Sequence, residues 1–476
     1  MEIASQVTAI RSVSADLLVD ALGNWQHNQP RYQSLAATIR SLVTSGFLPL
    51  DTRLPAERRL AERLGVSRTT ISLAYSLLRS ESYLYSRGGS GSYISIPFDQ
   101  EQIRLIGWTP DVRAEGNDID LTIAALPAPE PETTAASRDA IAELPAHTVA
   151  HGYDSAGLPS LREAVAKRFC QRDLPTSPDQ IMITNGALQA LWLALRLATG
   201  PGERVLTQCP TYPNALDVIR AIKGRPVPIH MDEWRPDALT AAIRQVNPRV
   251  AYVIADFHNP TGQVMPEDSR AALVSCAEQT DTLVISDETL ADLAIDDRPM
   301  PLPVAAWGPA GRVVTIGSVS KTFWAGLRIG WVRADPSTIQ RLTELRATVD
   351  LGTPIVDQLI AKHLLDRATD IMPKRLASLA SHRDLLASEL SSRLPEWRFT
   401  VPSGGLMLWI DLGSPVAKRL AAAARRKGVH LIPGERFGIS PGTLENFIRI
   451  PYTLPEPMLA EAVRRLAHIW PELHSS

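Results

Sequence analysis

Short runs of buried, β-branched residues alternate with helical patterns through the middle of the chain, and this alternation constrains the fold more than any other feature. The runs predict five strands, and the stretches between them predict helices with one apolar face. The strands are Ile181–Thr184, Val205–Thr207, Val250–Ala255, Leu283–Ser286 and Val313–Ile316, and the helices are Gly186–Ala198, Asn214–Ile222, Pro236–Val246 and Pro266–Gln279. Such alternation is typical of an α/β protein with a largely parallel sheet.

The length of the chain requires more than one domain. It has 476 residues, whereas a domain typically holds about 150. Residues 98–131 are irregular in pattern and rich in proline toward their end, which predicts a linker. We therefore expect an N-terminal domain over residues 1–97 and a large domain over 132–476, whose last part, from about residue 361, forms a smaller α+β lobe.

Charge and cysteine content favour an ordinary globular protein of the cytoplasm. The net charge is −2, so the chain as a whole has no basic excess that would hold it on nucleic acid. Its three cysteines show neither a disulfide framework nor the spacing of metal ligands. There is no apolar run of membrane-spanning length, and the first residues lack the apolar core of a signal peptide. We expect a cytoplasmic protein that binds no membrane and no metal.

One segment departs from this balanced charge. Between Arg31 and Ile94 there are nine arginines against four acidic residues, a local excess of five positive charges. This is the polarity that a phosphate backbone attracts. On charge alone, an arginine-rich solvated surface is the favoured explanation of the segment.

The pattern of the same segment predicts a winged helix–turn–helix. Gly65 opens a tight turn, and Ser67 is a good N-cap for the helix that follows. That helix buries Ile71, Tyr75 and Leu78 on one face and presents polar residues near its start, where a recognition helix reads base edges. Two short strands, Tyr83–Ser86 and Ser92–Ile96, flank a glycine-rich basic tip that suits a wing. A helical protein-interaction module is the alternative.

Residues 30–96 resemble the DNA-binding domain of the GntR family of bacterial repressors. The resemblance is specific in the stretch LPAERRLAERLGVSRTTISLAYSLLRSESYLYSRGGSGSYIS. It implies double-stranded operator DNA as a partner. The DNA contacts that it implies are Arg58, Ser67, Arg68, Thr69, Thr70 and, in the wing, Gly89. Ser72 departs from the basic residue that some relatives have there, which predicts altered base readout.

The large domain places reactive and polar groups after several of its predicted strands. Lys321, one of only seven lysines, follows the last strand and can form a Schiff base. Asp287 and Asn259 each follow another strand, and Tyr212 lies between two prolines. Phosphate ligands are available at the start of one helix and near the lysine: Gly186, Ala187, Leu188, Ser318, Ser320 and Arg328. Carboxyl ends of parallel strands meet at one sheet edge, so the sequence predicts a pyridoxal 5'-phosphate site there.

Each of these features has an ordinary structural explanation when it is taken alone. Asn259 belongs to a common turn sequence, Asp287 could be a helix cap, and Lys321 could be a surface charge. Their occurrence after successive strand ends favours the cofactor site.

Residues 120–470 resemble the fold-type I aminotransferases. The similar motifs, in order, are YDSAGLPSLREAVAKRF, NGALQALWLAL, CPTYPNAL, FHNPTG, SDETLADL, GSVSKTFWAGLRIGW and FIRIPYT. The resemblance implies that Lys321 is the Schiff-base lysine, that Asp287 pairs with the pyridine nitrogen and that Asn259 contacts the 3-hydroxyl. It also implies that Tyr212 stacks on the ring and that Arg449 binds a substrate carboxylate. Leu290 departs from the family's usual tyrosine and cannot donate to the 3-hydroxyl, which argues against efficient transamination.

A GntR-type domain joined to an aminotransferase-like domain resembles the MocR-type transcriptional regulators. The resemblance implies a homodimer that binds operator DNA and senses an amino compound, or the cofactor itself, through an aldimine at Lys321. Two alternatives remain from the sequence: an active aminotransferase with a fused DNA-binding domain, and a repressor whose large domain has lost the cofactor and serves for dimerisation.

Overall fold

The computed structural model describes most of the chain and divides it into two compact units. The described residues are 12–23, 25, 30–44, 47–48, 52–81, 83–87, 91–95, 118–230, 234–309 and 311–473. One unit runs from the N-terminus to Arg104, and the other holds nearly all the rest. Within these ranges no helix combines the length and the apolar character needed to cross a membrane.

The N-terminal unit is a small helical domain with a β-hairpin. Its elements are α1 (Ala15–Leu22), α2 (Arg31–Thr44), α3 (Glu57–Leu64), α4 (Arg68–Ser80), β1 (Leu84–Arg87) and β2 (Gly91–Ile94). Gly65 ends α3 in the left-handed conformation, with φ of 65°, which a glycine adopts without a steric penalty. Leu35, Ile39, Leu60 and Ile71 form the centre of its core. The antiparallel pairing of β1 and β2 agrees with the predicted wing strands, shifted by one or two residues.

The larger unit contains the remaining helices and strands. Its helices are α5 (Glu132–Glu143), α6 (Pro159–Cys170), α7 (Ala187–Ala198), α8 (Pro213–Ala221), α9 (Pro236–Val246), α10 (Glu267–Gln279), α11 (Val319–Thr322), α12 (Pro336–Arg346), α13 (Ile355–Asp366), α14 (Ala368–Arg393), α15 (Ala417–Arg425) and α16 (Glu456–Ile469). Its strands are β3 (Ile119–Asp120), β4 (Ile181–Thr184), β5 (Arg204–Cys209), β6 (Arg225–His230), β7 (Val250–Ile254), β8 (Leu283–Asp287), β9 (Val313–Ser318), β10 (Gly330–Arg333), β11 (Arg398–Phe399), β12 (Met407–Asp411), β13 (Val429–His430), β14 (Ile432–Pro433) and β15 (Phe447–Pro451).

A seven-stranded sheet forms the centre of this unit, in the order β4-β10-β9-β8-β7-β5-β6. The pairs β5–β7, β7–β8 and β8–β9 are parallel, and β10 runs antiparallel between β4 and β9. All five predicted strands belong to this sheet, so the predicted α/β class is confirmed. Sequence reasoning missed β6 and β10. β10 is short and lies soon after the lysine segment. No long helical pattern separates it from β9, so no separate strand could be recognised in the sequence.

The C-terminal lobe contains a second sheet, in the order β11-β12-β15-β14, against which α14 and α16 pack. β3 pairs in parallel with β13 of this lobe, and Ile119 and Leu121 are buried in its core. The stretch from Asp118 to Pro131, predicted as the end of the linker, is therefore part of the large unit. Its apolar residues are buried by contacts distant in sequence, which local pattern could not predict. The rest of the predicted linker, 98–117, lies outside the described residues.

Candidate functional site

A cavity of about 350 Å³ lies at the carboxyl ends of the central strands, where the C-terminal lobe meets the sheet. Ten of the predicted residues line it: Ala187, Leu188, Tyr212, Asn259, Asp287, Ser318, Ser320, Lys321, Arg328 and Arg449. Gly186 directly precedes the first of them. The fold thus brings together groups spread over more than half of the chain, because parallel strands end at a common edge.

Lys321 lies in the short helix α11, directly after the end of β9. Ser318 caps this helix by accepting from the Ser320 N–H at 3.0 Å. The Lys321 Nζ donates to the Ala124 carbonyl oxygen at 2.6 Å. Burial, with further contributions from Arg449 and Arg328, lowers the pKa of Lys321 to about 8, although Asp287 acts in the opposite direction. A primary amine in this state is partly unprotonated near neutral pH and can act as a nucleophile.

Asp287 ends β8 and is 4% exposed. Its Oδ2 accepts a hydrogen bond from the hydroxyl of Tyr252 at 2.8 Å, and its Oδ1 accepts one from the Thr289 N–H at 3.0 Å. Burial raises the pKa of this carboxyl, while these two donors and Lys321 lower it. The carboxylate is therefore oriented by two donors while its remaining lone pairs stay available to the cavity.

The segment 186–188 and Arg328 form one end of the cavity. Gly186 has φ of 79°, and a Cβ at this position would lie 2.6 Å from the Arg328 Nη2. The positive φ favours glycine here, and a side chain at this position would displace the Arg328 guanidinium. The first N–H groups of α7 have no acceptor within their own helix. Together with the Arg328 guanidinium they suit a phosphate group.

The two predicted serines are partly engaged within the protein. Ser318 Oγ lies 2.8 Å from both the Ser320 Oγ and the Ile329 carbonyl oxygen. Because a carbonyl oxygen can only accept, Ser318 donates there and serves first as a cap for the lysine helix. Both serines nevertheless line the cavity.

Asn259 and Leu290 line the wall of the cavity beside Asp287. The buried Oδ1 of Asn259 has no hydrogen-bond partner among the described residues. Leu290 is 3% exposed and offers only apolar surface. Among the described residues, this wall therefore has one amide oxygen without a partner, and its residue 290 has no hydroxyl group.

Arg449 enters the cavity from the C-terminal lobe. It lies in β15 opposite Trp409 of β12 and Ile432 of β14. Its Nη2 donates to the Thr122 carbonyl oxygen, and its guanidinium carbon lies 5.3 Å from the centre of the Phe437 ring. The buried Nε has no partner in the described part of the chain. Burial lowers the pKa of Arg449 to about 10, and a buried guanidinium with an unused N–H is a strong site for a carboxylate.

The predicted DNA-contacting residues lie at the start of α4 and on α3. Ser67 caps α4 by accepting from the Thr70 N–H at 3.1 Å, and Thr69 is exposed beside it. The side chains of Arg58 and Arg68 are 86% and 74% exposed, with Glu62 and Glu57 as their ion-pair partners. Such exposed pairs contribute at most about 1 kcal/mol, so a phosphate can replace the carboxylate. Gly89 lies outside the described residues.

Residues 117–466 match the family of class I and II aminotransferases, over more than half of the chain. The chain belongs to the class I and II aminotransferase family. Residues 31–94 match the gntR family of bacterial regulatory proteins. The predicted combination of a GntR-type winged helix with a fold-type I aminotransferase-like domain is thus confirmed.

Similar proteins include both enzymes and regulators. The chain is 30% identical over 370 residues to aromatic-amino-acid aminotransferase 1 of Thermococcus litoralis, a match that covers 74% of this chain and 88% of that protein. It is 28% identical over 454 residues to the uncharacterised HTH-type transcriptional regulator YdcR of Escherichia coli. This match covers 88% of this chain and 93% of YdcR. Among solved structures, the chain is similar to LysN, the α-aminoadipate aminotransferase of Thermus thermophilus, complexed with N-(5'-phosphopyridoxyl)-L-leucine. The identity is 27% and the TM-score is 0.69, and the match covers 75% of this chain and 93% of LysN.

The residues of this aminotransferase-like cavity fit pyridoxal phosphate. Asn259 has a buried amide oxygen without a partner in the described part of the chain, and Gly186 leaves the space beside Arg328 that a side chain would fill. Lys321 supplies an amine, and Asp287 supplies a buried carboxylate at the same edge of the sheet.

Two features of the site were not predicted. The first is Tyr252, whose hydroxyl contacts Asp287. A hydroxyl in the otherwise apolar run Val250–Ile254 was the available signal, because a buried phenol needs a hydrogen-bond partner. The second is the segment 120–124, whose carbonyl groups contact both Lys321 and Arg449. Backbone carbonyls leave no pattern in the sequence, so no signal could have shown this contact.

Proposed function

We propose that this chain is a MocR-type transcriptional regulator that binds operator DNA and senses an amino compound through pyridoxal phosphate at Lys321. The observation that supports this most directly is the convergence of Lys321, Asp287 and Arg449 in one cavity of a chain that also has a gntR-family domain. The full-length similarity to YdcR, a protein named as a regulator, supports the same function.

The predicted residues of the cavity other than Arg449 have roles in holding the cofactor. When bound, pyridoxal phosphate supplies an aldehyde for covalent attachment to an amine and a ring that withdraws electrons. Lys321 would offer the amine, and Asp287 would keep the ring nitrogen protonated. Asn259 would bind the 3-hydroxyl, and Tyr212 would stack on the ring. The residues that would hold the phosphate are Gly186, Ala187, Leu188, Ser318, Ser320 and Arg328.

Arg449 selects effectors that carry a carboxylate. Its buried Nε has no partner among the described residues, and its Nη2 contacts the Thr122 carbonyl, which an incoming carboxylate can replace. An uncharged carbonyl oxygen binds a guanidinium less strongly than a carboxylate does. We therefore infer that the effector has both an amine, for exchange with Lys321, and a carboxylate, for Arg449.

The segment 120–124 contacts the cavity through its backbone carbonyl groups. Its successive carbonyl oxygens accept from Arg449 at Thr122, from Thr453 Oγ1 at Ile123 (3.3 Å) and from Lys321 at Ala124 (2.6 Å). An effector that takes over Arg449 and changes the bonding of Lys321 releases two of these three contacts. Along the chain, residues 98–119 lie between the DNA-binding domain and this segment. Effector binding thus alters the end of that connection.

The functional unit is a homodimer. Several apolar side chains of the large unit are exposed to solvent, among them Val149, Tyr153 and Leu351, at 88%, 67% and 46% exposure. Ser155 donates to the Leu351 carbonyl at 3.4 Å, so the segment that carries Tyr153 lies beside the segment that carries Leu351. Exposed apolar residues that cluster in this way are typical of an interface. Two DNA-binding domains then read a repeated or palindromic site.

A working aminotransferase is the second candidate function. It is favoured by the 30% identity to an aromatic-amino-acid aminotransferase. Leu290 disfavours it, because a leucine side chain has no hydroxyl to stabilise charge on the 3-oxygen.

Two measurements test the proposal. Borohydride reduction of the yellow protein, followed by peptide mass spectrometry, should place the cofactor on Lys321, and a Lys321→Ala variant should remain colourless. Titration of the holoprotein with amino acids should change both its absorbance and its affinity for its own promoter DNA, without formation of a keto acid. A cofactor adduct on another lysine contradicts the proposed site. Steady keto-acid production without a change in DNA affinity supports the aminotransferase.

A further inference from the structure

The Tyr252 side chain is directed at the carboxylate of Asp287 from the neighbouring strand. Residue Ile254 of β7 pairs with Asp287 of β8 in the parallel register. Tyr252 lies two residues earlier, so its side chain shares a face with that of Ile254. Its ring is fully buried, and its hydroxyl donates to the Asp287 Oδ2 at 2.8 Å. The phenol thus supports the carboxylate from within the core.

This contact acts on a group whose charge is important. Burial of Asp287 disfavours the ionised carboxylate, and the Thr289 N–H and the Tyr252 hydroxyl both favour it. An ionised Asp287 keeps a proton on a ring nitrogen opposite it, whereas a protonated one does not. Leu290 offers no donor toward the 3-oxygen, which leaves Asn259 as the proposed partner there. The charge of Asp287 therefore has a larger share in keeping the ring electron-withdrawing.

We propose that Tyr252 is a positioning residue that orients Asp287 and holds it as an anion against the ring nitrogen of pyridoxal phosphate. This inference rests on the proposed function. The ordinary explanation is that Tyr252 is a core residue and that Asp287 merely satisfies its hydroxyl. The two explanations differ in one respect: only a positioning role links the hydroxyl to the protonation of the cofactor.

The test uses the full-length holoprotein and its Tyr252→Phe variant, which keeps the ring and removes the hydroxyl. Tyr452→Phe is the matched control, because Tyr452 is also fully buried and donates to the Gly404 carbonyl oxygen at 2.9 Å. We expect the Kd for pyridoxal phosphate to rise about tenfold in Tyr252→Phe, as the loss of a hydrogen bond to a charged group predicts, and to stay constant in Tyr452→Phe. With cofactor labelled with ¹⁵N in the ring, the resonance should move toward that of neutral pyridine in Tyr252→Phe alone.

A double-mutant comparison shows whether the effect passes through the carboxylate. In an Asp287→Asn background, the Tyr252→Phe change should leave the Kd and the ¹⁵N resonance where Asp287→Asn alone puts them. An unchanged ¹⁵N resonance in the single variant, or an equal loss of affinity in both backgrounds, overturns the positioning role. Failure of the wild-type protein to bind the cofactor at Lys321 instead contradicts the proposed function itself, so the two failures are distinguishable.

Discussion

Replacement of Arg449 by methionine should remove the recognition of the effector's carboxylate while it leaves the cofactor in place. Methionine has a similar length and suits the apolar surroundings, which include Phe437 and the neighbouring residue Ile432. The arginine is 5% exposed, so its interaction with a carboxylate is only weakly screened by solvent. Its fork can form two charge-assisted hydrogen bonds with one carboxylate.

The size of the effect follows from these two bonds. Each hydrogen bond to a charged group contributes about 1.5–3 kcal/mol, so the pair contributes about 3–6 kcal/mol. The contact with the Thr122 carbonyl that the arginine exchanges offsets about 1 kcal/mol of this. At about 1.4 kcal/mol per tenfold change, we expect the Kd for a responsive amino acid to rise by at least about thirtyfold and up to several thousandfold.

The assay is an absorbance titration of the holoprotein with that amino acid, and the control is the corresponding amine without a carboxylate. The wild type and Arg449→Met should bind the amine equally, and only the amino acid should discriminate between them. The affinity of Arg449→Lys for the amino acid should lie between the affinities of the wild type and Arg449→Met, because lysine keeps the charge and lacks the forked guanidinium. An Arg449→Met variant that binds the amino acid as tightly as the wild type would refute the assignment of Arg449 to the carboxylate.

Three further predictions concern the DNA-binding helix, the lysine and the assembly. Arg68→Ala should weaken operator binding by about 1–3 kcal/mol without a change in cofactor absorbance; equal binding across a salt series contradicts the position of the recognition helix. Burial and Arg449 hold the pKa of Lys321 at about 8. The rate at which cofactor attaches to the apoprotein should therefore rise about tenfold for each unit by which the pH increases toward 8, and it should be constant above pH 8. A stopped-flow rate that does not change from pH 6 to 9 contradicts this. Light scattering at micromolar concentration should give the mass of a dimer, and a monomer overturns the proposed assembly.

The sequence alone determined the type of fold and most of the candidate site. Strand-length apolar runs separated by helices specify a parallel sheet, and the carboxyl ends of such strands meet at one edge. Lys321, Asp287 and Asn259 could therefore be grouped from their places in the chain, and they line one cavity. Ser67 could be identified as a helix cap because capping depends on a few neighbouring residues, and it does cap α4.

The tertiary structure decided the contacts that depend on distant segments. Tyr252 reaches Asp287 only through the register of two strands, and that register is fixed by packing over the whole sheet. Arg449 reaches the cavity because the C-terminal lobe folds against it, 128 residues after Lys321 in the chain. The segment 120–124 contacts both cations through backbone carbonyls, which every residue has and which no sequence pattern can mark. Side-chain identity and local periodicity can be read from the sequence. Contacts through the backbone, and contacts between the C-terminal lobe and the central sheet, exist only once the chain has folded.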